Sequence, residues 1–143
     1  MNALRERPVD AEHQVPVPFV SEYDDGRVDH GSVNRRRVIQ CALSRICGLC
    51  GESLDWPIAF VGSAEEAQAN AFTYPPLHVA CAEDALATYP PLGDGFLGRD
   101  GAPAQWELVT TGGFELERPA DRTGDQRLHF HPNSVSERRS IGA

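Results

Sequence analysis

Two short pairs of residues constrain this chain more than anything else in it. Cys47 and Cys50 are separated by two residues, His78 and Cys81 by two more, and 27 residues lie between the pairs. A Cys-x-x-Cys turn aims two sulfurs at one point, and Gly48 and Gly51 relax the tight backbone of such a knuckle. Pro76 can occupy the first turn of a helix that ends near Thr88, because Pro90 disfavours helix at Tyr89. His78 and Cys81 then share one face near the helix N-terminus, where the macrodipole stabilises a thiolate. Val79, Ala82 and Leu86 form an adjacent apolar stripe, so one helix can serve both a metal and a core.

Three soft sulfurs and one imidazole suit tetrahedral zinc, and four protein ligands close its coordination shell. The expectation is one structural Zn2+ held by Cys47, Cys50, His78 and Cys81. Two disulfides are the competing use of four cysteines. The metal-ligand spacing and a reducing compartment favour the metal. An iron–sulfur or redox role fits less well, because the fourth ligand is histidine and no βαβ pattern surrounds the Cys-x-x-Cys.

The rest of the chain reads as one α+β domain over 15–132 between loose ends at 1–14 and 133–143. The first fourteen residues are charged, have little to bury and are expected to be disordered. They also lack the apolar core of a signal peptide, and no apolar run approaches the length of a membrane span, so a cytoplasmic location is expected. Val15–Val20, with proline at alternate positions, reads as an edge strand or extended segment. An acidic loop follows over 21–31. Ser32 is the expected N-cap of a helix to about Ser44, with Val38, Ile39, Cys41, Ala42 and Ile46 on one face. Cys41 on that face reads as a buried, inert thiol.

The zinc module spans 46–89. Within it, a strand is expected at Pro57–Val61, a short helix over Ala64–Asn70 behind the capping box Ser63-Ala64-Glu65-Glu66, and a return strand at Phe72-Thr73-Tyr74. Residues 90–104 form a Gly/Pro-rich connector. Trp106–Thr111 and Phe114–Arg118 flank Gly112-Gly113, a hairpin signal. A polar loop then leads to Arg127–His131, which predicts a three-stranded antiparallel β-meander over 105–131.

A Cys-x-x-Cys-Gly knuckle, a hairpin, then His-x-x-Cys at the start of a helix resembles a treble-clef zinc finger over roughly residues 46–89. The stretch Pro76-Leu77-His78-Val79-Ala80-Cys81-Ala82 is also similar to small zinc-binding proteins of actinobacteria and their phages, which implies a context but no activity. The resemblance does not extend to His-Asn-His nucleases, because residues 51–77 contain no histidine to act as a base. Nor does the chain carry the zinc-deaminase pattern of His-x-Glu followed by Pro-Cys-x-x-Cys.

Charge narrows the partners. The chain has no lysine, so Schiff-base and P-loop lysine chemistry are excluded, and all 13 basic residues are arginine. The formal charge is −8 and falls almost wholly on 46–100, which carries one arginine against eight acids. Phosphate backbones select for basic surfaces, so the acidic zinc segment is a poor nucleic-acid surface. The run Arg35-Arg36-Arg37 is the exception. Arg36 and Arg37, with Gln40, project from the polar helix face and are the expected partner contact, while Arg35 lies on the apolar side.

His129 and His131 point to one side of the last strand, a geometry used by catalytic metal sites, but no third ligand is apparent nearby. The leading expectation is a small non-catalytic zinc protein acting as a protein-interaction or regulatory module. The alternatives are a nucleic-acid-binding regulator using Arg35–Arg37 and a metalloenzyme with a second metal at His129 and His131.

Overall fold

The computed structural model describes residues 3–119 and 126–141. In chain order the elements are β1 (Val9–Asp10), β2 (Val15–Pro16), α1 (Arg35–Ser44), β3 (Ile58–Ser63), α2 (Ala64–Ala69), β4 (Leu77–His78), α3 (Val79–Thr88), β5 (Trp106–Thr111), β6 (Phe114–Glu117), β7 (His129–Pro132) and β8 (Val135–Ile141). This is an α+β architecture. No helix among the described residues is long and apolar enough to cross a membrane.

The central sheet runs in the order β4-β3-β5-β8, all pairs antiparallel. Ile58–Gly62 offers no polar side chain to water, and β3 is accordingly buried over those five residues. Its partner β5 is buried at every position. A strand buried on both faces needs cover on both, and α2 and α3 each pack on β3 and β5. The sharp start of α2 is chemical. The Ser63 hydroxyl accepts from Glu66 N while the Glu66 carboxylate accepts from Ser63 N, as the capping-box pattern predicts.

β5 and β6 do not form the expected hairpin. At Gly112-Gly113 the chain passes from the central sheet to a second, two-stranded sheet in which β6 pairs β7. The Ser134 hydroxyl accepts from Gly112 N, and the Gly113 carbonyl accepts from Asn133 N. The place beside β5 is filled instead by β8, from the segment 133–143 expected to be a loose tail. Its sequence is polar because it is an edge strand, where charge costs little. Arg138 pairs there with the buried Glu107 at 2.6 Å, and Arg139 with Glu83 at 2.9 Å. The polar loop expected before Arg127 falls largely outside the described residues.

The two sheets meet through aromatic residues. Phe72 and Phe130 exchange backbone hydrogen bonds of 2.9 and 2.7 Å. Their rings, with Phe114, surround Phe60 of β3 at centroid distances of 5.6–5.8 Å. Phe72–Tyr74 is therefore not a return strand beside β3. That role falls to β4, whose Leu77 and His78 pair with Ala59 and Ile58.

The amino-terminal residues also depart from expectation. Leu4 is fully buried, β1 pairs with β2, and Arg5 grips Asp84 of α3 through two nitrogens at 2.5 and 2.8 Å. The Tyr89 hydroxyl at the end of α3 donates to the Pro16 carbonyl at 2.5 Å. Charged residues that looked unable to pay for order find partners on α3. Helix α1 starts later than Ser32, since Asn34 is its N-cap and accepts from Arg36 N. Cys41 on α1 is fully buried, and burial pushes its thiol up to about 12, which leaves it protonated and unreactive.

Candidate metal centre

The knuckle is built by hydrogen bonds on both sides of its sulfurs. Ile46 and Ser53 form a β-bridge, Cys47 N donates to Glu52 O at 2.8 Å, and Gly51 N donates to Cys47 O at 2.9 Å. The two glycines serve different needs. Gly51 adopts a φ of +79°, in the left-handed region where a side chain is strained. Gly48 needs no special φ but tolerates no side chain. A Cβ there would sit 2.4 Å from Pro75 Cγ, because Gly48 N reaches the Pro76 carbonyl at 2.9 Å. Gly48→Ala is therefore expected to force the knuckle away from the Pro75-Pro76 segment and lose about 1–3 kcal/mol of stability. A denaturant midpoint equal to the wild type's would contradict this.

The second ligand pair sits at a junction. His78 ends β4 and is the N-cap of α3, with extended backbone, and Cys81 lies in the first turn. The expected helix face carrying both residues is thus replaced by a strand-to-helix corner, which still turns both side chains toward the knuckle. Donor atoms of Cys47, Cys50, His78 and Cys81 all lie within 4.8 Å of one another. The Cys50 and Cys81 sulfurs are 3.3 and 3.8 Å from His78 Nδ1. Tetrahedral bonds of about 2.3 Å to sulfur and about 2.05 Å to nitrogen place such ligands about 3.6 Å apart. The four residues therefore fit a single metal ion.

The surroundings fit one too. His78 Nε2 lies 2.7 Å from the Ser53 carbonyl, which can only accept, so Nε2 keeps a proton and Nδ1, turned to the sulfurs, is the atom left to ligate a metal that displaces its proton. His78 N points at Cys47 Sγ at 3.4 Å, a contact that favours thiolate. Burial pushes the Cys47 thiol up, but hydrogen bonds from Cys50, Cys81 and His78 outweigh it and hold Cys47 well below the ordinary range. Against the Cys47 and Cys50 sulfurs the His78 imidazole rises to about 11. The cluster thus favours a positive charge at its centre. Cys47, Cys50 and Cys81 are 0%, 7% and 1% exposed, which shuts them away from solvent.

The expected partner-contact residues do meet in one place. Arg36, Arg37 and Gln40 line a hollow of about 470 Å3 with Phe19, Asp24 and Ile39. They are not free, however. Arg36 is exposed and paired with Asp24. Arg37 is half-buried rather than projecting. Its Nη1 donates to Glu22 and to the Phe19 carbonyl, both at 2.9 Å, and its guanidinium stacks 4.6 Å from the Phe19 ring centre. Arg35 donates to the Gln126 carbonyl at 2.8 Å.

His129 and His131 lie on β7, each half-buried. His131 Nδ1 meets the Asn70 carbonyl and Nε2 the Glu117 carboxylate, both at 2.7 Å. Both of its nitrogens are engaged, and neither histidine belongs to a group of three metal-capable side chains among the described residues. A second such group does exist, formed by Asp10, His13 and His30. It was not legible in the sequence, because Asp10 and His13 fall in the segment that reads as disordered.

No family model, curated protein or solved structure matches the chain. What fold and site define is an α+β chain around a Cys3His cluster compatible with a single metal ion.

Proposed function

We propose that this is a small, non-catalytic zinc protein in which one structural Zn2+ fixes a treble-clef-like unit, and that it acts as a protein-interaction or regulatory module. The observation that carries the reading is the closed, buried donor set: four protein ligands fill a tetrahedral shell and leave no position for water or substrate. The order of knuckle, β3 paired with β4, and helix α3 carrying the last ligand supports the treble-clef reading, with α2 as an insertion. Reduced thiols accord with a cytoplasmic setting.

Partner docking is assigned to the α1 face around Arg36 and Gln40. Arg36 and Asp24 are both exposed there and can exchange their mutual ion pair for one with a partner. The nucleic-acid alternative asks the same arginines to bind phosphate, yet each is held by a nearby carboxylate or carbonyl, and the chain carries a formal −8. Wild-type protein is therefore expected to give no salt-dependent shift of duplex or single-stranded DNA or RNA in a mobility assay at low and moderate salt. Arg36→Ala with Gln40→Ala is expected to keep the zinc and the fold but lose partners captured by the wild type. Tight binding to nucleic acid that weakens steeply with salt would overturn the reading in favour of a nucleic-acid regulator.

A further inference from the structure

The turn between β1 and β2 brings Asp10 and His13 against His30, from the loop that precedes α1. His13 Nδ1 and His30 Nε2 approach the same oxygen, Asp10 Oδ2, at 2.7 and 3.0 Å. The two imidazoles stand nearly perpendicular, at 82°, with centroids 5.7 Å apart. They converge on one point rather than stack. We propose that Asp10, His13 and His30 form a second metal site, an exchangeable one for a divalent first-row transition ion, separate from the Cys3His centre.

The donor chemistry is two imidazoles and one carboxylate, a set that such ions take and that leaves coordination positions for water. Separations near 3 Å are those of neighbouring ligands around a six-coordinate ion with bonds of about 2.1 Å. A small outward shift of the three side chains admits the ion, which replaces the two protons now shared with Asp10.

The outer contacts are those a metal site uses. Asp10 Oδ1 accepts from Glu12 N at 2.9 Å, which fixes the carboxylate while Oδ2 stays turned to the histidines. Glu12 lies 3.4 Å from His13 Nε2 and can hold the proton there, leaving Nδ1 as the ligand atom. His30 Nε2 now donates to Asp10, while its Nδ1 is buried with no hydrogen-bond partner and is the nitrogen that would take the proton when Nε2 ligates an ion. Phe96 packs against both rings, at 5.2 and 4.9 Å, and excludes water from one side. His13 remains one-third exposed, which opens a path for an ion from solvent. By contrast, His131 already has both nitrogens occupied by Asn70 and Glu117.

The experiment is a calorimetric titration of Zn2+ into full-length protein that already holds its first zinc and has been freed of loosely bound metal. Wild type is expected to take up one further equivalent. His13→Gln, on an exposed turn, and Asp10→Asn are each expected to weaken that step by at least about 100-fold, beyond the usual effect of losing an outer-shell partner. Both variants keep the first zinc by elemental analysis. His131→Gln leaves the second step unchanged. Absence of a saturable second step in the wild type overturns the proposal, and so does its survival in either His13→Gln or Asp10→Asn. In those cases the three side chains are a hydrogen-bonded clasp that ties the amino-terminal hairpin to the body of the domain.

Discussion

Cys50→Ser is expected to abolish the cooperative unfolding transition of this protein, and stripping the wild type with a strong chelator is expected to do the same. Structural zinc contributes on the order of 10–16 kcal/mol in small zinc modules. A domain of this size is stable by only about 5–15 kcal/mol in total. The Cys3His cluster is also central to the packing. Cys47 and Cys81 are almost wholly buried, and His78 ends the strand that pairs with β3. Without a metal, sulfurs and imidazole crowd at 3.3–3.8 Å, and a protonated His78 alone offsets the thiolate charge. The loss should spread through β3 into β5, because β3 joins the His78–Cys81 corner to the rest of the central sheet. Circular dichroism on heating, paired with elemental analysis of the same sample, reads the effect. A wild-type melting curve from protein verified as metal-free would show the site to be peripheral.

Glu66→Ala is expected to cost about 1.5–3 kcal/mol, the range for losing hydrogen bonds to a charged, half-buried group. One carboxylate accepts from Ser63 N at 2.9 Å, Thr73 N at 3.1 Å, the Thr73 hydroxyl at 3.3 Å and Arg99 Nη2 at 2.7 Å. It therefore starts α2, fixes the segment leading to Pro75, and holds Arg99 over the Trp106 ring. Glu66→Gln keeps the shape and loses the charge, so it should fall between alanine and wild type. The effect also depends on pH. Burial pushes the Glu66 carboxyl up, but the Ser63 amide, the Arg99 charge and the Thr73 amide together hold it below its ordinary value of 4.5. A carboxyl lower in the folded than in the unfolded chain stabilises fully above the unfolded value. That contribution disappears as pH falls through the folded one. The gap between wild type and Glu66→Ala in denaturant titrations should therefore be largest near neutrality and narrow below about pH 4.5. A gap that is constant with pH would place the effect in packing alone.

The parts of this fold that were legible share one property: the signal is local. The two ligand pairs, the Ser63–Glu66 capping box, the apolar run of β3 and the buried Cys41 each depend on residues within a few positions. What was missed depends on distant partners. The segment Val135–Ile141 looked like a tail because Arg138 and Arg139 are explained only by Glu107 and Glu83, far away in sequence. The segment 1–14 looked disordered because Arg5 needs Asp84 and Asp10 needs His30. The meander failed for a related reason. Gly112-Gly113 is a sound turn signal, but β5 is buried on both faces and takes its neighbours from β3 and β8. His78 was read as helical when it is the last strand residue before the helix, a shift that left the ligand set intact because the corner aims both side chains inward.

Zinc K-edge absorption on protein stripped of loosely held metal tests the central claim most directly. One zinc per chain is expected, with a shell of three sulfurs at about 2.3 Å and one nitrogen at about 2.0–2.1 Å. Changing His78 to cysteine should convert that shell to four sulfurs. A shell of oxygen and nitrogen alone, or protein that holds no tightly bound zinc and has its cysteines oxidised in pairs, would contradict it.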